Sequence, residues 1–492
     1  MTIDRWITDA AAKNPDKTAL AFNEEKISYA DFASLIDSRV REFEKAGVAH
    51  GNRVAWYGLN HPDVFVLLFA CARIGAIFVP LNWRLAEAEV AAIVANCEPS
   101  LLYFDHNFAK PALALSDVDA IDHQLAFADT DHLQANKTNE ANKAKLITPT
   151  TSDPLLLVYT SGSTGLPKGA LLSQNSVICN ASMSVEAHDM SERDAVLVLL
   201  PLFHVGGLNI LPTPAFSIGA TVILHDRFEP DRACRGLQKA TLSLVVPTVL
   251  KAMMASKLWD TIDFSAVRGI SIGSTDVPVS LIKAIHKLGV PMPQVYGATE
   301  TGPFAIYQTL QNAMHSVGSI GRAGSGCKIR LVANNQDVSI GEPGEIWVRG
   351  VNVLDKYWQD NELSAQALQD GWLRTGDIAT CDADGFYWFN DRIKHVIISG
   401  GENIYPSEIE RVLTQISGIR EVCIVGKPDT KWGEIPVAVV VTNTDMSREN
   451  ILSTLQGQLA RYKHPKEVVF VDELPRNAMG KVVAKNVRKL IE

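Results

Sequence analysis

What this chain lacks narrows it first. None of its seven cysteines, Cys71, Cys97, Cys179, Cys234, Cys327, Cys381 and Cys423, falls in a Cys-x-x-Cys pair, and their number is odd. That argues against a disulfide framework or a thiolate metal cluster and reads as buried thiols in a reducing compartment. There is no basic excess: 46 Lys and Arg stand against 55 Asp and Glu, a net charge of −9. Nothing is left over to neutralise a phosphate backbone or an anionic bilayer, so nucleic acid is set aside as a partner. The opening MTIDRWITDAAAKNP places Asp4 and Asp9 where a secretory leader needs an apolar core and an organellar leader avoids acids. A cytoplasmic protein is expected. The stretch 64–81 approaches membrane length, but Arg73 and Gly75 interrupt it and Pro80 closes it. It reads as a buried helix followed by a buried strand, not as an integral membrane segment.

What is present is a large apolar inventory, 47% hydrophobic over 492 residues. At roughly 150 residues per domain the chain should hold about three folding units. Helical spacing over 29–46, a strand-like run over 53–57, a helix from Asp63 and a strand over 76–80 alternate as α/β layers do. The polar stretch 134–153 reads as a surface loop, followed at once by a strand over 154–159. A second α/β set has apolar runs at 196–200, 221–224, 243–246 and 269–272. Beyond Gly321 the segments become short and alternating, at 328–332, 345–349 and 385–389, as in a small antiparallel barrel or sheet. From about Lys394 a compact α+β piece completes the chain, and no internal repeat is found.

Five segments carry chemistry. Residues 159–170, YTSGSTGLPKGA, follow a buried strand with small hydroxyl residues and bare amides suited to wrapping a polyphosphate. A flexible surface turn would have the same composition. The ordinary P-loop is absent, because Lys168 is followed by Gly169 and Ala170 and no hydroxyl waits there for magnesium. Residues 296–302, YGATETG, supply Thr299 as a phosphate donor and Glu300 as a hard oxygen ligand, although a lone Glu in a loop is often only solvated. LRTGD ends in Asp377 at a Gly turn, where it could accept from two ribose hydroxyls. DRIKHVIISGGENIYPSEIE, from Asp391, joins a basic pair to a Gly-Gly turn and a helix start at Pro406. PRNAMGK ends in Lys481, which alone would be an ordinary surface charge.

In this order the five segments closely resemble the adenylate-forming superfamily of acyl-CoA synthetases, adenylation domains and luciferases, over nearly the whole chain up to Lys481. The resemblance implies an α/β fold. Two doubly wound subdomains and a small β-barrel would form a large N-terminal AMP-binding domain over 1–391. A small mobile α+β C-terminal domain would span 395–492, with the hinge near Lys394. It further implies that Thr160, Ser161, Gly162, Ser163, Thr164, Gly165 and Lys168 form the phosphate loop, with Thr299 and Glu300 at phosphate and magnesium. Gly273, Ser274, Thr275, Tyr296, Gly297 and Ala298 occupy the adenine-pocket segments, although Gly-Ser-Thr stands where the family usually has Gly-Ala-Pro or Gly-Gly-Ala. Asp377 and Arg392 match the ribose positions, and Lys481 the adenylation lysine. Gly400 and Gly401 match the loop that lines the pantetheine tunnel. His395 and Ala484 depart from the pattern, standing where acidic and basic residues are common.

The chemistry so implied is ATP-dependent ligation of a small carboxylic acid to coenzyme A, with Mg2+ and an acyl-adenylate intermediate; a homodimer is left open. Two anions must approach, so a metal and a lysine have to neutralise charge that would repel. In PLFHVGG, residues 201–207, His204 would lie beside the carboxylate, unless it is only an aromatic core contact. No aspartate follows Phe203, which disfavours amino acids, and Val295 replaces the arginine that malonate-type ligases use for a distal carboxylate. A fatty acid is the expected substrate, with aryl or arylpropenoic acids as the alternative. A luciferase-like oxygenase and a non-catalytic nucleotide sensor are remoter readings.

Overall fold

In the computed structural model, which describes residues 2–115, 148–160, 167–274, 277–399, 402–456, 458–477 and 480–491 and the backbone of 126–129, the apolar run 64–81 divides as its sequence predicts. Pro62, whose missing N–H costs nothing in a first turn, opens the helix Pro62–Ile74, and the His61 ring accepts from the Asp63 amide at 3.2 Å. Every residue of this helix except Arg73 is buried, and Arg73 pairs with Asp4 at 3.1 Å. The strand Ile77–Leu81 is buried throughout, because parallel neighbours flank it on both sides. Among the described residues, no helix is long and apolar enough to cross a membrane.

That strand lies in a seven-stranded sheet ordered Lys356–Tyr357, Lys168–Ser173, Pro154–Thr160, Ile77–Leu81, Arg53–Tyr57, Leu101–Phe104 and Ala126–Asp129. The last five are parallel to their neighbours, while Lys168–Ser173 and Lys356–Tyr357 add an antiparallel edge. A nine-stranded sheet holds the second set. Its central strands Gln294–Tyr296, Gly269–Gly273, Leu242–Val245, Ala195–Val198 and Thr221–Leu224 are parallel, which explains their continuous apolar runs. The first strand of the chain, Thr18–Phe22, joins this sheet rather than the nearer one, pairing Leu20 with Val222.

By residue contacts the chain divides into two units. One comprises 1–275, 284–329 and 348–373, and contains both large sheets. The other comprises 276–283, 330–347 and 374–492. The latter contains a sheet ordered Glu402–Ile404, Ile397–Ser399, Gly433–Thr442 and Ile419–Asp429, with Glu467–Phe470 alongside Gly433–Thr442. The helix Pro406–Leu413 covers it, burying Ile409 and Leu413 against Ile397, Ile404 and Val440. The expected small barrel is a curled sheet ordered Gln336–Asp337, Cys327–Ala333, Gly344–Gly350, Trp372–Cys381 and Leu368–Gln369, with Tyr387–Arg392 paired to Trp372–Cys381. Most of the polar stretch 134–153 lies outside the described residues.

Candidate active site

Thr160 ends one strand and Lys168 opens the next, and the two are register partners across an antiparallel pair. Residues 161–167 therefore connect two strands already locked together. Ser161, Gly162, Ser163, Thr164 and Gly165 themselves lie outside the described residues. The base of this connection is braced by Asn96 and Trp358, which the sequence did not single out. The Tyr159 hydroxyl donates to Asn96 Oδ1 at 2.5 Å, and the Trp358 indole donates to the Asn96 carbonyl at 3.1 Å. The Trp358 amide donates to the Gly169 carbonyl at 2.7 Å.

The strand Gln294–Tyr296 runs parallel to Gly269–Gly273, bringing Gly273 opposite Val295. A Cβ on Gly273 would lie 2.4 Å from the Val295 carbonyl oxygen, and one on Gly297 only 1.6 Å from that of Pro303, so both positions admit backbone alone. Ser274 is exposed just past the strand; Thr275 lies outside the described residues. The Ala298 amide donates to Thr301 Oγ1 at 2.9 Å, which fixes the short turn Thr299–Thr301 and with it the start points of Thr299 and Glu300.

Glu300 is not merely solvated. Its Oε1 accepts from the Tyr357 hydroxyl at 2.7 Å, and its carbonyl accepts from the Leu354 amide at 2.8 Å. The Lys168 ammonium lies 6.0 Å from the centroid of the Tyr357 ring. Burial, and then the charge of Glu300, raise the Tyr357 phenol above its ordinary range, so it remains a donor. No motif announced Tyr357: its tie to Glu300 spans 57 positions. Among the described residues, no group of three or more His, Cys, Asp or Glu could hold a metal. A cation here would rest on Glu300 together with phosphate oxygens and water, a donor set that suits Mg2+.

His204 begins the helix Val205–Asn209, with its half-buried ring 4.5 Å from that of Phe203. The two glycines after it differ. A Cβ on Gly207 would lie 2.2 Å from the Pro201 carbonyl oxygen. One on Gly206 would meet, among the described residues, only Ile210 Cδ1 at 3.8 Å and Ser274 Oγ at 3.9 Å. A small side chain would therefore be tolerated at Gly206, in ordinary contact with Ile210 and Ser274, but not at Gly207.

The remaining candidates belong to the second unit. Asp377 was expected in a Gly turn; it lies within the ten-residue strand Trp372–Cys381, register partner of Arg392, although Gly376 before it does adopt a left-handed φ of 72°. Arg392 Nε is 3.1 Å from Asp377 Oδ1. Asp391 accepts from the amides of Arg392 at 2.7 Å and Ser407 at 2.8 Å, fixing the start of the helix Pro406–Leu413. His395 is 3.5 Å from Asp391 Oδ1, so this departure from the family pattern has a partner of its own. Lys394 is exposed in the short turn Ile393–His395, and Gly400 and Gly401 lie outside the described residues. Lys481 is half-buried: desolvation and then the charge of Arg392 lower its pKa, against an opposing pull from Asp377.

A lysine at the start of a strand in one sheet, a single carboxylate on a short turn beside the other, and a partly desolvated lysine in an α+β unit are parts that an adenylate-forming enzyme needs. The sequence agrees. Residues 7–358 match the AMP-binding enzyme family, and residues 408–481 the AMP-binding enzyme C-terminal domain. The chain is 44% identical over 503 residues to an indoleacetate–CoA ligase of Aromatoleum aromaticum, covering all of this chain and 98% of that one. It is 35% identical to a feruloyl-CoA synthase of an Amycolatopsis species, covering 98% of each. Its fold superposes with a TM-score of 0.88 on O-succinylbenzoate coenzyme A synthetase of Bacillus subtilis in complex with ATP and magnesium ion, at 28% identity and 99% coverage of each chain. The chain belongs to the AMP-binding enzyme family, and within it to the acid–CoA ligases.

Proposed function

We propose that the chain joins an aryl carboxylic acid to coenzyme A at the expense of ATP. The expectation of a fatty acid gives way to its alternative, because the relatives at 44% and 35% identity are named for indoleacetate and ferulate, both aryl acids. The first of these relatives, aligned over the full chain, carries the reading.

In the first half-reaction a carboxylate oxygen attacks the α-phosphorus of ATP, and the bond to the bridging oxygen breaks to release pyrophosphate. Thr160, Lys168 and the connecting loop hold the phosphates, and Thr299 donates to one of them. Asp377 holds the ribose. Mg2+, when bound at Glu300, neutralises phosphate charge that would otherwise repel the incoming acid. Lys481 bridges the carboxylate and the α-phosphate, placing a fixed positive charge where negative charge accumulates. In the second half-reaction the thiol sulfur attacks the acyl carbonyl, its proton is lost to solvent, and AMP leaves. Lys481 serves the first half-reaction alone, and Gly400 and Gly401 leave room for the pantetheine arm in the second.

The test is exchange of labelled pyrophosphate into ATP in the absence of coenzyme A. Exchange that depends on indole-3-acetate, phenylacetate or ferulate is the expected result. Exchange with straight-chain acids alone overturns the aryl assignment.

A further inference from the structure

We propose that Tyr357 is a positioning residue of the adenylation half-reaction: it fixes the Glu300 carboxylate for magnesium and ties it to the strand that carries Lys168. The inference rests on Glu300 being the metal carboxylate of the function proposed above. Its starting point is the 2.7 Å hydrogen bond from the Tyr357 hydroxyl to Glu300 Oε1. A buried phenol needs an acceptor, and any carbonyl would satisfy it. Here the acceptor is the one acid of the YGATETG turn, and the surrounding backbone is arranged to keep it so.

The two-residue strand Lys356–Tyr357 is tied on both sides. Towards the phosphate loop, Lys356 pairs with Leu171 and Tyr357 with Ala170, and the Asp355 and Trp358 amides donate to the carbonyls of Leu171 at 2.9 Å and Gly169 at 2.7 Å. Towards the metal turn, the Leu354 amide donates to the Glu300 carbonyl at 2.8 Å. The Tyr357 amide in turn donates to Ser364 Oγ at 2.9 Å. Five consecutive residues, 354–358, therefore hold the backbone of Glu300 at one end and that of Gly169, next to Lys168, at the other. The Tyr357 side chain is the link between them: its hydroxyl holds the carboxylate, and its ring lies under the Lys168 ammonium.

The physical consequence concerns preorganisation. A glutamate carboxylate on a short turn rotates freely, and a metal that binds it must first stop that rotation. With one oxygen engaged by a rigid phenol, the carboxylate is already oriented, and its distance to Lys168 is set by the framework rather than by the ligand. Loss of an outer-shell partner of this kind typically weakens metal binding by roughly 10- to 100-fold.

The experiment compares wild type, Tyr357→Phe and Glu300→Gln by calorimetry of ATP binding with and without Mg2+, and by rates of the two half-reactions measured separately. In Tyr357→Phe the ring and its packing stay. The expected result is that the enhancement of ATP binding by Mg2+ falls about tenfold, the low end of that range. ATP binding without metal and thioester formation from supplied acyl-adenylate should be unchanged, which a general loss of structure could not produce. If Tyr357→Phe keeps the wild-type Mg2+ enhancement while Glu300→Gln loses it, the metal site stands and the positioning role is wrong. If Glu300→Gln also keeps it, the assignment of the metal to Glu300 falls, and this proposal with it.

Discussion

Arg392 and Asp377 face each other as register partners on adjacent antiparallel strands, with Arg392 Nε 3.1 Å from Asp377 Oδ1. Asp377 is buried and Arg392 is largely exposed, so the pair presents a carboxylate held in place by a cation that solvent screens. Asp377→Ala is expected to raise KM for ATP by roughly 10- to 100-fold, the cost of removing hydrogen bonds to a charged group. Steady-state kinetics with ATP varied will check this, and an unchanged KM would remove Asp377 from ribose binding.

Lys481 lies close enough to that pair for its pKa to respond to both partners, with desolvation the larger influence and the net direction downward. If the cationic form serves adenylation, the alkaline limb of kcat/KM for that half-reaction should fall below the ordinary lysine range. The limb should be absent from thioester formation starting with acyl-adenylate. Lys481→Ala should slow adenylation by at least roughly 100- to 1,000-fold and spare the second step. Loss of both steps in a folded variant would contradict the separation of roles.

The neighbouring glycines of PLFHVGG should respond in opposite ways. Gly207→Ala drives a methyl group to within 2.2 Å of the Pro201 carbonyl oxygen and is expected to destabilise the protein by about 1–3 kcal/mol. Gly206→Leu begins from a Cβ in ordinary contact with Ile210 Cδ1 and Ser274 Oγ and adds bulk next to His204 in the chain. It should reduce kcat/KM for bicyclic aryl acids about tenfold or more relative to small acids. Thermal unfolding and an acid panel separate these outcomes; parallel losses for all acids with Gly206→Leu would mean that Gly206 does not border the bound acid.

Stability should fall in mild acid. His188 is fully buried, with Nε2 2.7 Å from Ser271 Oγ, and burial pushes its pKa down from 6.5 to about 4. A base whose folded pKa is depressed contributes fully above its unfolded value, and that contribution is lost as pH falls from 6.5 towards 4. The loss from His188 alone is on the order of 3 kcal/mol. Denaturant titrations across this window should show it, and His188→Gln should flatten the slope while lowering overall stability. An unchanged slope would mean that His188 does not titrate on unfolding.

The parts legible in the sequence were those whose physics is local. The helix Pro62–Ile74 could be read because Pro62, the apolar run and Gly75 are contiguous, and the strand Ile77–Leu81 because burial on both faces leaves an unbroken apolar run. YTSGSTGLPKGA and YGATETG declared themselves by composition and order. At Asp377 the sequence showed the glycine kink, which Gly376 does make at φ 72°, but not the facing strand Tyr387–Arg392 that builds the segment into a sheet. Thr18–Phe22 gave no sign of pairing with a strand some two hundred residues away. Tyr357 was silent because a tyrosine beside a tryptophan in a loop-rich stretch looks like packing; only the fold brings its hydroxyl to Glu300.

The central claim is tested most directly by a competition for thioester formation between indole-3-acetate and decanoate, which has as many carbons in a straight chain, with ATP, Mg2+ and limiting coenzyme A. The account predicts that the indoleacetyl thioester dominates, with AMP released in equal amount. Dominance of the decanoyl thioester would contradict the aryl assignment.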